Sequence, residues 1–490
     1  MVAPQYFPRI LSAEIDGRTQ NIRYRQNQFH RLQSTLVQHV DQIKDALLTD
    51  SGHAPEEVRA EICLALKEVR THYASLDLSR DLEEEYRVAH GKDNRDGKRG
   101  AGIVYIVPCT HTMFFSVVSA LSAALAAGNC IILEVCLPLL TKNTMALPAL
   151  LKKILPPVLD ADTFAVSEDR PDASFLSRVV VLNQNGDAGQ TSGQSISSPS
   201  TARTVAVVDR TADVPAAAEA LVAARLTFGG RSPYSPDVVL VQEFVMKEFV
   251  EAVLQRSSKY LGGQNGEARQ TVANPRRASP GASLLDAAHK DAGSRVLVSG
   301  SEWGVVEVLD RKSPLLQRKV AEKVLILHPI TSLDDAIDFS TSRGTLAATY
   351  AFAAPASAKY LTQFIDSYIS WVNHVPTDML IGPAYPTNLP PTSDTRYSTL
   401  SLQVPRPQLI TPTSNAALTQ TVLNTKNSNW SQVWAENLAP LPAIGQRAGK
   451  KIGFFEQGII TGGVILLFSL AATVSTMGFY GFSAIKRLRA

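Results

Sequence analysis

The feature that most constrains this 490-residue chain is a long uncharged apolar stretch near its C-terminus. No residue from Gln457 to Ile485 is charged, and Ile, Leu, Val, Phe, Ala and Gly predominate there. About 20 such residues cross the hydrocarbon core of a bilayer, and buried helices of soluble proteins seldom run this long without a charge. Basic residues stand on both sides, at positions 450–451 and 486–487. We therefore predict a transmembrane helix that follows a soluble body.

The position of this stretch predicts how the protein is inserted into a membrane and on which side its body lies. Only five residues follow Ile485, so we expect insertion after synthesis, as a tail anchor. The first residues lack the basic and continuous apolar regions of a secretory signal, which indicates a cytosolic body. The length of the span favours the endoplasmic reticulum over the mitochondrial outer membrane and the peroxisome. Gly458 and Gly462 have the GxxxG spacing that lets helices pack closely. A homo-oligomer is therefore one of the alternatives.

Composition argues against several classes of function. The four cysteines, at positions 63, 109, 130 and 136, form no CxxC motif and no Cys/His cluster with metal-ligand spacing. A reduced compartment and no metal site are therefore expected. The formal charge is only +3, and no basic run interleaved with aromatic residues is present, so we expect no nucleic-acid partner.

Apolar periodicity divides the body into helices and strands. We predict helices over residues 29–47, 58–73, 113–127, 150–155, 214–226 and 247–260. We predict strands over residues 102–108, 130–134, 178–182, 204–208 and 238–241. Stretches rich in Gly, Pro, Ser, Thr or Asn are expected to be loops, and they cover residues 183–200, 262–293 and 382–413. Strand, helix and strand within about thirty residues indicate βαβ units and a parallel sheet, hence an α/β fold.

Three segments carry a resemblance to a known family. They read GIVYIVPCTHTMFFSVVSALSAALAAGNCIILE at 102–134, VAVVDRTADVPAAAEALVAARLTFGGRSPYSPDVVLV at 205–241, and SLDDAIDF at 332–339 followed by LAATYAFA. Their order resembles the aldehyde dehydrogenase superfamily up to about Asn373, and the C-terminal anchor resembles its membrane-bound fatty aldehyde dehydrogenases. The resemblance implies a Rossmann-type cofactor domain over 1–200 and an α/β catalytic-type domain over 201–380. A linker over 381–452 and a membrane anchor over 453–490 would follow.

The catalytic positions of the family are altered in this chain. The family's reaction needs a thiolate nucleophile, donors for an oxyanion, a carboxylate that activates water, and a nicotinamide that accepts hydride. The resemblance places Pro233 at the nucleophile's position, preceded by Ser232, and proline has no nucleophilic group. It places Thr110 at the position of the oxyanion-binding Asn and Pro199 at that of the general-base Glu.

The cofactor motifs differ as well. Glu134 replaces the Lys that reaches the adenosine ribose in the family, and Val181-Leu182-Asn183-Gln184 replaces a Gly-containing turn that opens a helix toward the dinucleotide. Residues 319–323 replace the motif whose Glu contacts the nicotinamide ribose, and the segment around Pro390 replaces a late Gly-rich loop. Glu134 is either a solvated strand end or an acceptor for ribose hydroxyls, as acidic residues are in other dinucleotide sites.

Three functional hypotheses remain open. The leading one is a degenerate, non-catalytic protein that acts as a scaffold, regulator or binding partner at a membrane. The second is an active NAD(P)-dependent aldehyde dehydrogenase with relocated residues, in which His111 lowers the pKa of a nucleophilic Cys109; Ser232 is a weaker candidate. The third is a sensor that binds NAD or NADP without turnover. His328, His374 and Trp371 are expected to be structural.

Overall fold

A computed structural model of the chain describes residues 6–135, 145–186, 194–262, 283–300, 303–342, 344–387, 389–392, 394–424, 429–445 and 453–488. The chain divides into two compact units, Met1–Thr411 and Pro412–Ala490. The finer divisions at residues 200 and 380 stay predictions. Cys136 and the anchor's flanking residues 450–451 lie outside the described residues.

The α-helices are numbered in chain order. They are α1 (Pro8–Asp16), α2 (Ile22–Gln38), α3 (Val40–Ser51), α4 (Pro55–Ala74), α5 (Leu78–Tyr86), α6 (Met113–Ala126), α7 (Ala146–Ile154), α8 (Ala173–Leu176), α9 (Val214–Leu226), α10 (Glu243–Gly262), α11 (Leu284–Lys290), α12 (Leu333–Thr341), α13 (Pro355–Phe364), α14 (Ser414–Leu423), α15 (Trp430–Leu438) and α16 (Phe454–Leu488).

The strands follow the same order. They are β1 (Lys98–Gly100), β2 (Ile103–Val107), β3 (Cys130–Glu134), β4 (Phe164–Ser167), β5 (Val180–Asn183), β6 (Ser195–Ser197), β7 (Thr204–Val208), β8 (Val238–Gln242), β9 (Ser294–Ser299), β10 (Trp303–Val308), β11 (Lys323–Ile330), β12 (Ala348–Phe352), β13 (Ser370–Val372) and β14 (Gln403–Pro405).

The first sheet has five parallel strands in the order β4-β3-β2-β5-β6. Its strands β2 and β3 are apolar at nearly every position and fully buried, as expected of a sheet covered on both faces. The chain leaves β2 toward β3 on one side and returns to β5 on the other. The sheet therefore has a topological switch point between the carboxyl ends of β2 and β5, the place where α/β folds bind ligands.

The second sheet has seven strands in the order β13-β12-β7-β8-β11-β10-β9. All neighbours are parallel except β9 and β10, which run antiparallel at one edge. A third, two-stranded sheet pairs β1 with β14 and so ties residues 98–100 to 403–405. The α/β fold with parallel sheets predicted from the sequence is confirmed.

Helix α6 lies at the centre of the body. All of its residues are buried, because Ala and Ser alternate with Val, Leu and Phe around the whole helix and leave no polar face. Its N-terminal end lies directly after the β2 turn, residues 108–112. The helix therefore fixes that turn against α4, which packs alongside it.

Several local predictions were wrong. The single helix expected over 29–47 is divided into α2 and α3 at His39, whose ring donates from Nδ1 to the carbonyl of Thr35 at 3.0 Å and whose backbone is not helical. The loop expected over 183–200 contains β6, in which only Ile196 is fully buried, too short a pattern to detect. Helix α11 lies inside the loop expected over 262–293, and β14 inside that expected over 382–413.

The second unit contains α14, α15 and α16. Within α16, Glu456–Gly478 is long and apolar enough to cross a membrane, and none of that segment is buried by the protein. The helix predicted over 457–485 is thus present as a candidate membrane span.

Candidate functional site

The crevice at the switch point is bounded by residues 107–109 after β2 and 183–185 after β5. It is closed by hydrogen bonds from Gln184. The Gln184 side-chain oxygen accepts from the backbone N–H of Cys109 at 2.9 Å, and its amide nitrogen donates to the carbonyl of Ser116 at 2.9 Å. Asn185 donates from Nδ2 to the carbonyl of Pro108 at 3.0 Å. The two loops that would part around a ligand are therefore joined to each other.

Cys109, the candidate relocated nucleophile, borders this crevice and is half-buried. Its sulfur accepts from the backbone N–H of His111 at 3.4 Å. Burial raises the pKa of the Cys109 thiol to about 11, against smaller lowering effects of the backbone N–H groups of His111 and Thr110. The thiol is thus protonated at neutral pH, and only the thiolate is an effective nucleophile.

The ring of His111 points to a different partner than Cys109. It donates from Nε2 to the carbonyl of Leu380 at 2.9 Å, since a carbonyl can only accept. Burial lowers the pKa of His111 to about 4, so the ring is neutral and supplies no positive charge to the thiol. The ring also packs edge-on against Phe228, with centroids 6.4 Å apart.

Thr110, at the position of the oxyanion-binding Asn, is exposed on the same turn. The helix end beside it already holds a carboxyl group. Glu61 of α4 accepts from the backbone N–H groups of Phe114 and Phe115 at 3.0 and 3.2 Å. These are among the first free N–H groups of α6, and a helix N-terminus favours negative charge. Burial raises the pKa of the fully buried Glu61 to about 7.

Pro233 lies in a loop, residues 231–237, whose polar groups are tied to a buried ion cluster. Asp237 is fully buried, and its carboxylate accepts from Thr204 N at 2.7 Å, Val320 N at 2.8 Å and Lys319 Nζ at 3.1 Å. The guanidinium of Arg225, also fully buried, lies 3.5 Å from it. Burial lowers the pKa of Arg225 to about 10 despite the charge of Asp237, so Arg225 stays protonated near neutral pH.

Lys319 joins two of the altered family positions. Its Nζ donates to the carbonyl of Pro233 at 2.6 Å as well as to Asp237. The resemblance assigns Pro233 to the position of the family's nucleophile and Lys319 to that of the Glu that contacts the nicotinamide ribose. The two positions are therefore in direct contact through a hydrogen bond.

Pro199, at the general-base position, lies in a loop that packs on the turn after β5. Ser200, the next residue, donates from its hydroxyl to the carbonyl of Asn185. A Cβ added at Gly186 would lie 2.8 Å from the carbonyl oxygen of Ser198, which shows how closely the two loops approach. Gly186 has φ +73°, a conformation that glycine adopts without strain.

The described residues of 377–402, which leave out 388 and 393, cover this region from a distant part of the sequence. Arg396 donates from its backbone N–H to Glu68 at 2.7 Å, and its guanidinium lies 4.6 Å from the ring centroid of Tyr385. The backbone N–H of Tyr385 in turn donates to the hydroxyl of Tyr234 at 2.7 Å. Tyr234, next to Pro233, is 1% exposed, so aromatic side chains and this segment fill the space beside the nucleophile position.

Glu134 lies at the carboxyl end of β3 and is 4% exposed. The alternative of a solvated strand end is therefore wrong. Its Oε2 lies 3.8 Å from Nε of Arg170 and has no hydrogen-bond partner among the described residues. The pKa of the neighbouring Tyr105 phenol is raised, first by burial and then by the charge of Glu134. A buried carboxylate oxygen of this kind can accept a hydrogen bond from a donor such as a ribose hydroxyl.

A nicotinamide dinucleotide fits only one part of this site. Glu134 supplies a carboxylate acceptor of the kind that a ribose hydroxyl needs, and Arg170 and Tyr105 already face that carboxylate. The pyrophosphate, however, normally rests on the N-terminus of the helix that follows a glycine-containing turn. Between β5 and β6 no helix lies among the residues that the structure describes, which leave out 187–193. Gln184 and Asn185 occupy the mouth of the crevice instead.

The other candidate residues named from the sequence contact only neighbouring groups of the protein among the described residues. Ser232 is 1% exposed and its hydroxyl accepts from the backbone N–H of Tyr234 at 3.2 Å. His328 is buried and donates to the carbonyl of Val308 at 2.7 Å, while the exposed His374 donates to that of Val372 at 2.8 Å. Trp371 packs on the ring of His374, centroids 5.3 Å apart.

Sequence reasoning missed the residues that close the site. Asp237, Glu61 and Arg396 were not singled out, although Asp237 stands in the SPDVVLV string that carried the resemblance, and Gln184 was noted only as part of the segment that replaces a Gly-containing turn. An acidic side chain directly before a fully apolar strand, with a basic residue one helix earlier, was the available signal for the Arg225–Asp237 pair. Within the described residues, no group of three or more His, Cys, Asp or Glu side chains could hold a metal ion.

Comparisons with known proteins agree with the fold. No family model matches the chain. Aldehyde dehydrogenase family 3 member B1 of Rattus norvegicus is 23% identical over 365 residues, which cover 69% of this chain and 75% of that protein. The dimeric NADP-preferring aldehyde dehydrogenase of Rattus norvegicus is 22% identical over 366 residues, covering 69% and 78%. The substrate-bound structure of Staphylococcus aureus AldH superposes with a TM-score of 0.65 at 19% identity, covering 83% of this chain and 94% of that chain.

The resemblance to the aldehyde dehydrogenase superfamily is therefore confirmed. The chain has the fold of this superfamily, and its sequence is similar to family 3 members over about two thirds of its length. It is an aldehyde dehydrogenase-like protein with a candidate membrane span at its C-terminal end.

Proposed function

We propose that this protein is a membrane-anchored pseudoenzyme, an aldehyde dehydrogenase-like body that binds or organises a partner at a membrane and does not oxidise aldehydes. One observation carries the proposal. The Lys319 ammonium bonds the Pro233 carbonyl at 2.6 Å and the Asp237 carboxylate at 3.1 Å. This contact joins the positions that the resemblance assigns to the family's nucleophile and to its nicotinamide-ribose ligand, and Pro233 has no side chain that can attack a carbonyl.

The chemistry around this contact supports the same proposal. Aldehyde oxidation in this superfamily needs a nucleophile that forms a covalent adduct before hydride transfer, and afterwards a base that activates water to release the acid. Pro233 and Pro199 offer neither group, and Thr110 is exposed to solvent. The crevice in which a nicotinamide would lie is bridged by Gln184.

We further propose that α16 anchors the protein as a single span with the body in the cytosol, at the endoplasmic reticulum. The support is the span Glu456–Gly478, whose exposed apolar surface suits lipid. A homodimer is compatible with the similarity to a relative that is described as dimeric. Protease protection of epitope-tagged chain in microsomes tests the topology. Protection of an N-terminal tag would contradict it.

Turnover is the direct test of the pseudoenzyme. The full-length protein, purified in detergent, is incubated with short- and long-chain aldehydes and either NAD or NADP, and cofactor reduction is followed by absorbance. We expect no reduction above that of heat-denatured protein. Reduction that Cys109→Ala abolishes would establish the alternative, an active enzyme with relocated residues. Reduction that Cys109→Ala leaves intact would also refute the pseudoenzyme but would exclude Cys109 as its nucleophile.

A second candidate, a sensor that binds NAD or NADP without turnover, is favoured by one observation. The buried Oε2 of Glu134 has no described hydrogen-bond partner. If a ribose fills this place, NAD or NADP should bind with a defined stoichiometry, and Glu134→Gln should weaken binding. Calorimetric titration distinguishes the two candidates, because the pseudoenzyme with a closed crevice should give no heat of binding.

A further inference from the structure

Helix α15 presents a stripe of large apolar side chains to its surroundings. Trp430, Trp434 and Leu438 recur every four residues and so lie on one face of the helix. They are 40%, 55% and 66% exposed. Two of the four tryptophans of the chain are thus on one short helix with little cover from the protein.

The opposite face of α15 is polar and internally bonded. Gln432 and Glu436 stand about half a turn away from the tryptophans, and the Gln432 amide donates to the Glu436 carboxylate at 3.0 Å. Helix α14 packs against α15 within the same unit. The half-buried Val433 and the exposed Trp430 and Trp434 make one side of α15 mainly apolar; Asn437 also lies on that side, and its amide donates to the carbonyl of Val433 at 2.8 Å.

The surroundings of α15 in the chain indicate what covers the stripe. The candidate span begins at Glu456, and only 17 residues separate it from Leu438. At full extension such a connection reaches about 55 Å, so α15 is always within reach of a bilayer that α16 crosses. Leu441 and Ile444, in between, are also largely exposed, at 92% and 85%.

The residue types on α15 favour a lipid surface over a protein groove as the partner that covers its apolar stripe. Tryptophan is enriched at membrane–water interfaces, where its ring contacts acyl chains and its indole N–H meets the headgroups. The described residues 429–445 contain one charged residue, Glu436. Attraction to anionic lipid therefore contributes little, and a zwitterionic surface suffices.

We propose that α15 lies in the interface of the same bilayer that α16 spans, with Trp430, Trp434 and Leu438 facing the acyl chains and Gln432 and Glu436 facing water. The proposal rests on the membrane anchoring proposed for α16. It adds a second point of attachment, which would hold the start of the anchor, and the residues before it, close to the membrane surface.

Quenching by brominated lipid tests this placement. The full chain carrying Trp303→Phe and Trp371→Phe retains tryptophan only in α15, and it is reconstituted into phosphatidylcholine vesicles with or without bromine on the acyl chains. We expect the bromine to reduce emission at least about twofold, because interfacial tryptophans lie near the upper acyl carbons. Emission that bromine leaves unchanged and that aqueous iodide quenches would overturn the proposal.

A matched probe on the other face serves as the control. In the same background, Trp430→Phe and Trp434→Phe are combined with Gln432→Trp, which places one tryptophan on the polar side. We expect this probe to be quenched by iodide and not by bromine. If both faces responded alike to bromine, α15 would be immersed without orientation and the proposal would be wrong.

Two further measurements keep the result interpretable. Flotation of each variant with the vesicles tests the anchoring by α16; failure to float would overturn both the anchoring and this inference. Flotation without bromine quenching would overturn the inference alone. If the Trp303 or Trp371 substitutions prevent folding, the same quenching is obtained as the difference between the unaltered chain and its Trp430→Phe/Trp434→Phe variant.

Discussion

The body around the switch-point crevice and the helices of the C-terminal unit differ in which groups they bury and which they expose. The body buries polar and ionic groups and bonds them to one another, through Gln184 at the crevice and through the Asp237–Lys319 pair beside Pro233. In the C-terminal unit, α15 and α16 leave apolar side chains exposed, with none of the span buried. One region has no need of a ligand, whereas the other needs something apolar to cover it.

This difference indicates which region is a packed core and which region is open to other molecules. A buried ion pair is weak support for stability by itself, yet breaking it by removing one partner is costly because the other charge stays buried. Breaking the Arg225–Asp237–Lys319 cluster should therefore destabilise the core, and the exposed apolar surface of α16 is a candidate membrane contact. Substitutions can test each side of the comparison in turn, from the largest expected effect to the smallest.

Two charges in the centre of α16 should release the protein from membranes. Leu467→Arg with Phe468→Arg places both charges at mid-span, where each costs about 2.5 to 3.5 kcal/mol of insertion free energy, or about 5 to 7 kcal/mol together. Alkaline extraction of microsomes should move the variant to the supernatant. Ile15→Arg, an equally exposed position in the body at 87%, is the control and should stay in the pellet. A double variant that resists extraction would show that α16 is not the anchor.

Neutralising Asp237 should strongly destabilise the body. Asp237→Asn keeps the side-chain volume but leaves the charges of Arg225 and Lys319 unpaired. The new NH₂ group also faces the N–H donors that Asp237 accepts from. We expect a cost of about 3 to 5 kcal/mol in the free energy of unfolding. Urea unfolding followed by circular dichroism measures it. Glu56→Gln, in an ion pair whose side chains are 61% and 71% exposed, is the control and should cost about 1 kcal/mol or less. Equal effects of the two substitutions would contradict a closed ionic core.

Glu61 should make stability fall as pH rises. Its pKa is raised from 4.5 to about 7 by burial, so the folded state binds a proton that the unfolded chain loses first. The contribution is fully present below pH 4.5 and is lost as pH rises through 7, a change of up to about 3 kcal/mol at 1.36 kcal/mol per unit.

The variant Glu61→Gln isolates this contribution. His111 has the opposite sign, because its pKa is lowered to about 4 and its contribution is lost as pH falls from 6.5 through 4. Unfolding midpoints of the unaltered chain and of Glu61→Gln are therefore compared between pH 4.5 and 7.5. The difference between them should change steadily with pH; a constant difference would mean that Glu61 titrates normally in the folded protein.

Restoring a thiol at Pro233 should have the smallest effect. Pro233→Cys supplies the family's nucleophile but not the base or the oxyanion donor, and Gln184 still closes the crevice. We expect no aldehyde oxidation with NAD or NADP, and a loss of about 0.4 to 1 kcal/mol in the free energy of unfolding because the unfolded chain gains freedom. Pro233→Ala separates the loss of proline from the gain of the thiol. Measurable turnover by Pro233→Cys alone would show that the crevice opens.

The sequence predicted the regular part of the fold because that part depends on local patterns. The β2, α6 and β3 segments each bury every residue, so continuous apolar runs and the glycine at 128 identified them. Short polar elements such as β6 and β14 carry no such pattern and were missed. The division of α2 from α3 depends on one side-chain hydrogen bond of His39, which periodicity does not contain.

The closed state of the site could not be predicted in this way. Its contacts join residues far apart in the chain: Cys109 to Gln184 across 75 positions, Lys319 to Pro233 across 86, and Arg396 to Glu68 across 328. The resemblance that assigns roles to Pro233, Pro199 and Thr110 indicates which groups differ from the family. Only the three-dimensional structure shows which side chains occupy the space beside them.

Calorimetric titration of the full-length protein with NAD and then NADP tests the central claim most directly, because a closed crevice and a bound dinucleotide exclude each other. With the protein in detergent and a known NADP-dependent aldehyde dehydrogenase as positive control, the account predicts no saturable heat for either nucleotide. Saturable binding of one nucleotide per chain, weakened by Glu134→Gln, would contradict it.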